Sequence, residues 1–246
     1  MNISRKWLKE FVDITATDKE YDEIMTIAGQ KVETTTRMDE DIKNVVVGKV
    51  LSMAKHENSD HMWVCMVDVA EGEPIQIVTG AQNVTEGDLV PVAKHNSYLP
   101  GGVHITKGKL RGVESLGMLC SGEELGINDD FYPGAETDGL LDLGKDAPVG
   151  EDIKKVVGLD DWIFDISVTA NRPDCQCILG IAREVAAVLQ KPLKEPDDSY
   201  TPHKTSKNPV KVRVDAPDLC PRYIGHYVED VRGGKSPAWM RKRLAL

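Results

Sequence analysis

Apolar residues in the first forty positions recur at helical spacing. Trp7, Leu8 and Phe11 share one face behind Ser4, a good N-cap. Tyr21, Ile24, Met25 and Ala28 share another behind Asp18, with Gly29 as the stop. Two short helices are predicted, followed by an exposed edge strand over 30–38, where apolar and polar residues alternate. From residue 44 the period falls to two. Runs at 45–51, 62–69, 74–78, 89–93, 103–106, 109–113 and 118–121 read as short strands, and the Glu71-Gly72-Glu73 turn makes a hairpin of the second and third. Many short strands with glycine turns favour a small barrel, for which an OB-fold and an SH3-like barrel are equally allowed. Gly112 and Gly117 sit where a strand must bend to close it. Ser121 and Glu124 are spaced for a capping box around one helical turn.

Past Gly150 the texture turns mixed again. A strand is predicted over 162–168 and a helix over 177–189, with Ile178, Ile181, Val185 and Val188 in register. Asp174 stands where it can cap that helix. Residues 191–209 are rich in Pro, Lys, Asp and Ser and read as a linker. Strands at 210–214 and 223–228 precede Ser236-Pro237, an N-cap with proline at the first helical position, and a basic helix over 238–246. That helix has no closing turn, so the chain is expected to end inside a domain.

Composition narrows the class. The 246 residues are 41% hydrophobic and 28% charged, enough to bury a real core, but only 5% aromatic, so the core must be aliphatic. No run of eighteen apolar residues and no apolar leader is present, which points to a cytoplasmic protein without a membrane span. The five cysteines are scattered and suit reduced thiols, with Cys120, Cys175 and Cys177 read as packing residues. Net charge is −10, and residues 40–150 hold 18 acidic against 8 basic groups. Such a segment argues against polyanions, yet from Lys94 to Val113 there is no Asp or Glu. Lys94, His95, His104, Lys107, Lys109 and Arg111 all fall in that stretch, a basic ribbon on an acidic body.

Three stretches carry a family resemblance. His56-Glu57-Asn58-Ser59-Asp60-His61-Met62 is similar to a segment of a tRNA-binding module. Ile77-Val78-Thr79-Gly80-Ala81-Gln82-Asn83, Leu99-Pro100-Gly101-Gly102 and the run Lys109-Leu110-Arg111-Gly112-Val113-Glu114-Ser115-Leu116-Gly117-Met118-Leu119-Cys120-Ser121 belong to the same module. Thr169-Ala170-Asn171-Arg172-Pro173-Asp174-Cys175, followed by Leu179-Gly180-Ile181-Ala182-Arg183-Glu184-Val185-Ala186, resembles the beta subunit of bacterial phenylalanyl-tRNA synthetases. Glu57, Ser59 and Met62 depart from the family's usual Pro, Ala and Leu. Glu57 adds negative charge near the expected RNA face.

The resemblance implies an α+β multidomain chain: an OB-fold β-barrel over 40–150 inserted into a split α/β domain formed by 1–39 and 151–195. A linker would follow over 196–209, then a truncated start of the editing-region domain over 210–246. It implies a part in ATP-dependent charging of tRNA with phenylalanine, with tRNA(Phe) and the alpha subunit of an alpha-two, beta-two assembly as partners. ATP and magnesium sites, and the catalytic residues for charging and editing, would lie outside this chain, which alone is expected to be inactive. No catalytic or metal residue is expected here. Lys94, His95, Lys107, Lys109 and Arg111 are the candidates for RNA phosphates, with Ser121 beside them and Tyr98 as a platform for a base. The plainer reading makes these lysines a solvated hairpin that discourages edge pairing. A stand-alone OB-fold tRNA-binding or assembly module, or a spacer between subunits, are the rival functions. His56 and His61 could suggest a metal, but Asn58 and Asp60 between them read as turn formers. Arg172 is expected to contact a partner or to pair with Asp165 or Asp174.

Overall fold

Ser4 ends the first strand, β1 (Asn2–Ser4), and caps the first helix, α1 (Arg5–Leu8), its hydroxyl accepting from the Trp7 N–H at 3.0 Å. In this computed structural model, residues 1–201 and 210–245 are described. Helix α2 (Asp18–Ile27) is capped one residue earlier than expected. Thr17, not Asp18, is the N-cap, because its hydroxyl and the Glu20 carboxylate exchange bonds with each other's backbone N–H groups. Asp18 becomes the first helical residue and pairs with Arg5, its charge well placed at a helix N-terminus. The next strand is β2 (Lys31–Arg37).

Eight strands follow: β3 (Lys43–Lys55), β4 (Trp63–Asp68), β5 (Ile75–Thr79), β6 (Leu89–Leu99), β7 (Val103–Ile105), β8 (Gly108–Leu110), β9 (Val113–Ser115) and β10 (Gly117–Leu119). Five of them form an antiparallel sheet in the order β10-β6-β3-β4-β5, with β7 added on β6. The sheet curls into a half-barrel whose two edges meet: Leu116 N–H donates to the Gln76 carbonyl at 2.8 Å, and Val78 N–H to the Ser115 hydroxyl at 3.0 Å. Val50, Cys65, Val67, Ile77, Val92 and Leu119 fill the concave side. Val45, Val47, Leu89 and Ala93 face the other way, under Leu125, Phe131, Leu141 and Ile153. Both faces are therefore buried at 45–48 of β3 and 89–93 of β6, which is why Val45-Val46-Val47 and 89–93 read as continuous apolar runs.

Two predictions need correcting here. Residues 109–113 are not one strand but the two sides of the β8–β9 hairpin, turning at Arg111 (φ +47°) and Gly112 (φ +93°). Helix α3 (Ile153–Val157) was missed: Asp152 caps it and Gly158 ends it in the left-handed conformation.

Strand β11 (Trp162–Ser167) lies between β1 and β2 in a second antiparallel sheet. Its Phe164 and Ile166 pack with Ile3, Leu8, Tyr21 and Met25, and with Ile181 and Val185 of helix α4 (Ile178–Leu189). Residues from both sides of the half-barrel thus share one core. The N-cap of α4 is Cys177, whose sulfur accepts from the Gly180 N–H at 3.4 Å; Asp174 does not cap it. Helix α5 (Ala238–Leu244) belongs to the same compact unit, Met1–Lys194 with Pro237–Leu246. Pro237 sits at its N-cap with no side-chain bond, so Ser236 does not cap it as predicted.

The second unit, Glu195–Ser236, has no helix or strand among its described residues. The expected linker lies partly outside the described residues. Residues 210–214 and 223–228 run close enough for the Val212 side chain to lie over Gly225, yet neither is a strand. Val212, Val214, Tyr223 and Ile224 remain exposed, and two short segments with no layer to cover them gain too little to hold a ladder.

Candidate nucleic-acid interface

Strand β6 runs on past the core as an arm, and its partners there decide what the surface can do. Tyr98 pairs with Lys43 of β3 on one side and with His104 of β7 on the other. Side chains directly opposite in a sheet stand on the same face, so Lys43, Tyr98 and His104 form one row. The Tyr98 and His104 rings stack with centroids 4.5 Å apart and only 5° between planes. The Lys43 ammonium lies 5.8 Å from the Tyr98 ring centre. Asn96, at φ +62°, places its amide oxygen 3.3 Å from His104 Nε2. An amide oxygen only accepts, so Nε2 carries the proton and the ring is fixed in rotation. His95 is on the same arm, its Nδ1 accepting from the Lys107 N–H at 3.1 Å. Ser97, buried between them, ties the arm back to the Asn44 carbonyl at 2.6 Å.

The seven predicted residues are therefore not one site. His95, Tyr98 and Lys107 gather on the β6–β7 arm. Lys94 lies farther back on β6, largely covered, and is ion-paired to Glu71 at 2.5 Å. Lys109 faces Glu114 across the β8–β9 hairpin. Arg111, at the tip of that hairpin, donates to the Asn58 carbonyl at 3.2 Å, and Asn58 Nδ2 donates back to the Arg111 carbonyl at 3.4 Å. Ser121 is engaged in the predicted capping box with Glu124. It lines a groove of about 960 Å³ whose Glu123, Glu124, Glu136 and Asp138 make it unwelcoming to phosphate. Sequence reading missed Lys43 and Asn96, and left His104 in the ribbon without a role.

His56 is buried, and backbone groups engage both of its ring nitrogens. Nδ1 accepts from the Asn58 N–H at 3.0 Å, which leaves Nε2 to donate to the Leu110 carbonyl at 3.0 Å. The ring pins the hairpin to the loop before β4. Arg172 pairs with Asp174, as one prediction had it, and also with Glu184 at 2.6 Å; Asp165 is held instead by the amino group of Met1. The hydrogen bond from Arg172 lowers the Asp174 carboxyl to about 2. Asp174, Cys175 and Glu184 are the one group of ligand-type side chains that converges among the described residues. The Arg172 guanidinium already bridges the two carboxylates, so the cluster does not suit magnesium. Cys65, Cys120 and Cys175 are buried thiols as expected, whereas Cys177 is exposed and serves as a cap.

A curled antiparallel sheet with an aromatic and cationic arm is the build of a nucleic-acid-binding module. Residues 45–152, which take in that sheet except the first two residues of β3, match the family model described as "Putative tRNA binding domain". Over its full length the chain is similar to phenylalanine–tRNA ligase beta subunits. It is 44% identical over 247 residues to that of Clostridium acetobutylicum, a match covering 100% of this chain and 31% of the relative. It is 44% identical over 250 residues to that of Symbiobacterium thermophilum, covering 99% and 27%. The chain thus spans roughly 30% of the length of these relatives. Among solved structures, the C-terminal domain of Plasmodium vivax p43 is 21% identical with a TM-score of 0.33, over 47% of this chain and 61% of that one. No helix among the described residues is long and apolar enough to cross a membrane.

Proposed function

We propose that this chain provides tRNA binding and subunit architecture within the beta subunit of a phenylalanine–tRNA ligase, for ATP-dependent charging of tRNA(Phe). The observation that carries this reading is the coincidence of the tRNA-binding match over 45–152 with the acid-free arm of the same sheet. Similarity that extends through both flanks favours a ligase subunit over a stand-alone tRNA-binding or assembly module. In this reading the half-barrel is an OB-fold domain over 40–150, set into a split α/β domain of 1–39 and 151–195. The sheet shared by β1, β2 and β11 supports that split. Residues 210–246 would open the editing-region domain, and the alpha subunit would be the protein partner in a cytoplasmic assembly. ATP and magnesium would be bound elsewhere in that assembly, since the acidic cluster around Asp174 is held by Arg172.

The test is a titration of fluorescein-labelled tRNA(Phe) with the full chain at about 50 and 200 mM salt. Affinity that falls as salt rises, by an amount matching two to four phosphates (a log–log slope of roughly −2 to −4), is expected. Lys107→Ala should reduce that slope by about one unit. A chain that leaves tRNA unbound at the lower salt is a spacer between subunits, a reading that its net charge of −10 and the Lys94–Glu71 pair would then favour.

A further inference from the structure

We propose that the row Lys43–Tyr98–His104 is a stacking site for one unpaired nucleobase of single-stranded RNA, with the base lying on the outer face of His104. The inference rests on the tRNA-binding reading and gives it a substrate feature: an exposed single-stranded segment, not duplex.

Four observations support it. First, the row is already a stack. Neighbouring strands place side chains about 4.8 Å apart, and the two rings keep nearly that spacing at 4.5 Å with 5° between planes. No strand pairs beyond β7 among the described residues, so the next layer after His104 is open at the sheet edge. Second, the ring that would receive the base is held in place. Asn96 fixes its rotation, Tyr98 backs one face, and Lys43 lies over the far side of Tyr98. A preset platform loses little freedom when a ligand arrives. Third, aromatic residues are scarce at 5% of the chain, yet Tyr98 remains 43% exposed here beside the exposed His104. Fourth, electrostatics alone cannot hold the polyanion. The body carries −10, Lys94 is paired to Glu71, and Arg111 braces the Asn58 loop. Stacking is a contact that needs no counterion release, so it supplies affinity where phosphate contacts are few. A duplex keeps its base faces covered and gains nothing from such a platform.

The experiment uses the full chain, a labelled ten-nucleotide oligoadenylate and a labelled ten-base-pair RNA duplex, at about 50 mM salt. His104→Ala should weaken oligoadenylate binding roughly five- to hundredfold, within the range of a lost base–aromatic stack. His104→Phe should keep it within about threefold, since phenylalanine preserves an aromatic face against Tyr98 and gives up only the Asn96 hydrogen bond that steadies the ring. Both variants should leave the salt slope and the duplex affinity unchanged. Equal oligoadenylate binding by His104→Ala and the unaltered chain overturns the site, as does an equal loss on the duplex. So does failure of His104→Phe to restore binding, which would assign His104 to hydrogen bonding. A chain that binds tRNA but not oligoadenylate also refutes the stacking site while leaving the tRNA role standing. A chain that binds no RNA at all removes the tRNA role itself.

Discussion

Asp39 shows how a single enclosed charge fastens two elements. Its side chain is 1% exposed, Arg37 Nη2 reaches it at 3.1 Å, and Lys154 Nζ on α3 reaches it at 3.4 Å. Burial alone would raise its carboxyl, but the hydrogen bond from Arg37 and the charge of Lys154 outweigh it and hold the group below the ordinary range. Removing it leaves two cations facing each other beside a protein wall. Asp39→Ala should therefore cost about 2 kcal/mol in urea unfolding, less than a fully buried pair because Arg37 is half exposed. A change below about 0.5 kcal/mol would show that the cluster adds nothing. Because folding depresses this carboxyl, its contribution is complete above about pH 4 and disappears as pH falls through the folded value. Acid titration of the unaltered chain should show that loss, and the Asp39→Ala chain should be flatter over the same interval.

The elements owe their curvature to close approaches that only small residues permit. Gly117 on β10 lies so near the Ala93 carbonyl of β6 that a methyl group there would overlap the oxygen. Backbone cannot yield without opening the pair, so Gly117→Ala should cost roughly 1–3 kcal/mol. It should also speed amide exchange at Met118 and Leu119, and unchanged exchange would show that the strand shifts freely. This glycine was legible in the sequence as a bend; its neighbour was not. The apolar run 89–93 marked the start of β6 but not its extension, because Lys94, His95 and Asn96 are polar; the strand runs on through them because Lys94 pairs with Gly117 of β10 and Ser97, Tyr98 and Leu99 pair with β7. For the same reason Tyr98 was recognisable as the lone aromatic in a basic stretch, while Lys43, fifty-five residues away, was not. Register across strands leaves no local mark. Helix α3 was hidden in Ile153-Lys154-Lys155-Val156-Val157, whose β-branched residues suit a strand; its caps and its packing under β3 override that preference. The opposite failure occurred at 210–214 and 223–228, where a strand-like pattern finds nothing to pack against.

For the whole molecule, α5 gathers three separate stretches. Arg241 donates to the Asp129 carbonyl at 2.8 Å and reaches Asp130 at 3.1 Å. Lys242 donates to the Val157 carbonyl at 2.6 Å and lies 4.7 Å over Phe131. Arg243 meets Glu10 at 2.5 Å with Trp7 and Trp239 at 5.4 and 5.2 Å. Burial lowers the Lys242 ammonium below its usual range, while Trp239, Met240 and Leu244 stay exposed, so the helix is held mainly by its three basic side chains. Arg241→Glu combined with Arg243→Glu should release it, and chymotrypsin should then cut at Trp239 several times faster than in the unaltered chain. Equal cutting rates would mean these contacts hold nothing.

Strand β11 is flanked by β1 and β2, yet the ribosome makes it more than a hundred residues after them. Every strand of the curled sheet finds its partner within residues 43–119, and the residues that cover its other face, out to Leu159, are also made before β11. Ile3, Leu8 and Tyr21 wait with no core to enter until Phe164 and Ile166 emerge. By folding in the interval, the sheet draws the two ends of the intervening chain together and reduces the entropy that closing the loop would otherwise cost. Of these segments, β1, α1 and α2 are made before the curled sheet, yet their core is completed only after it.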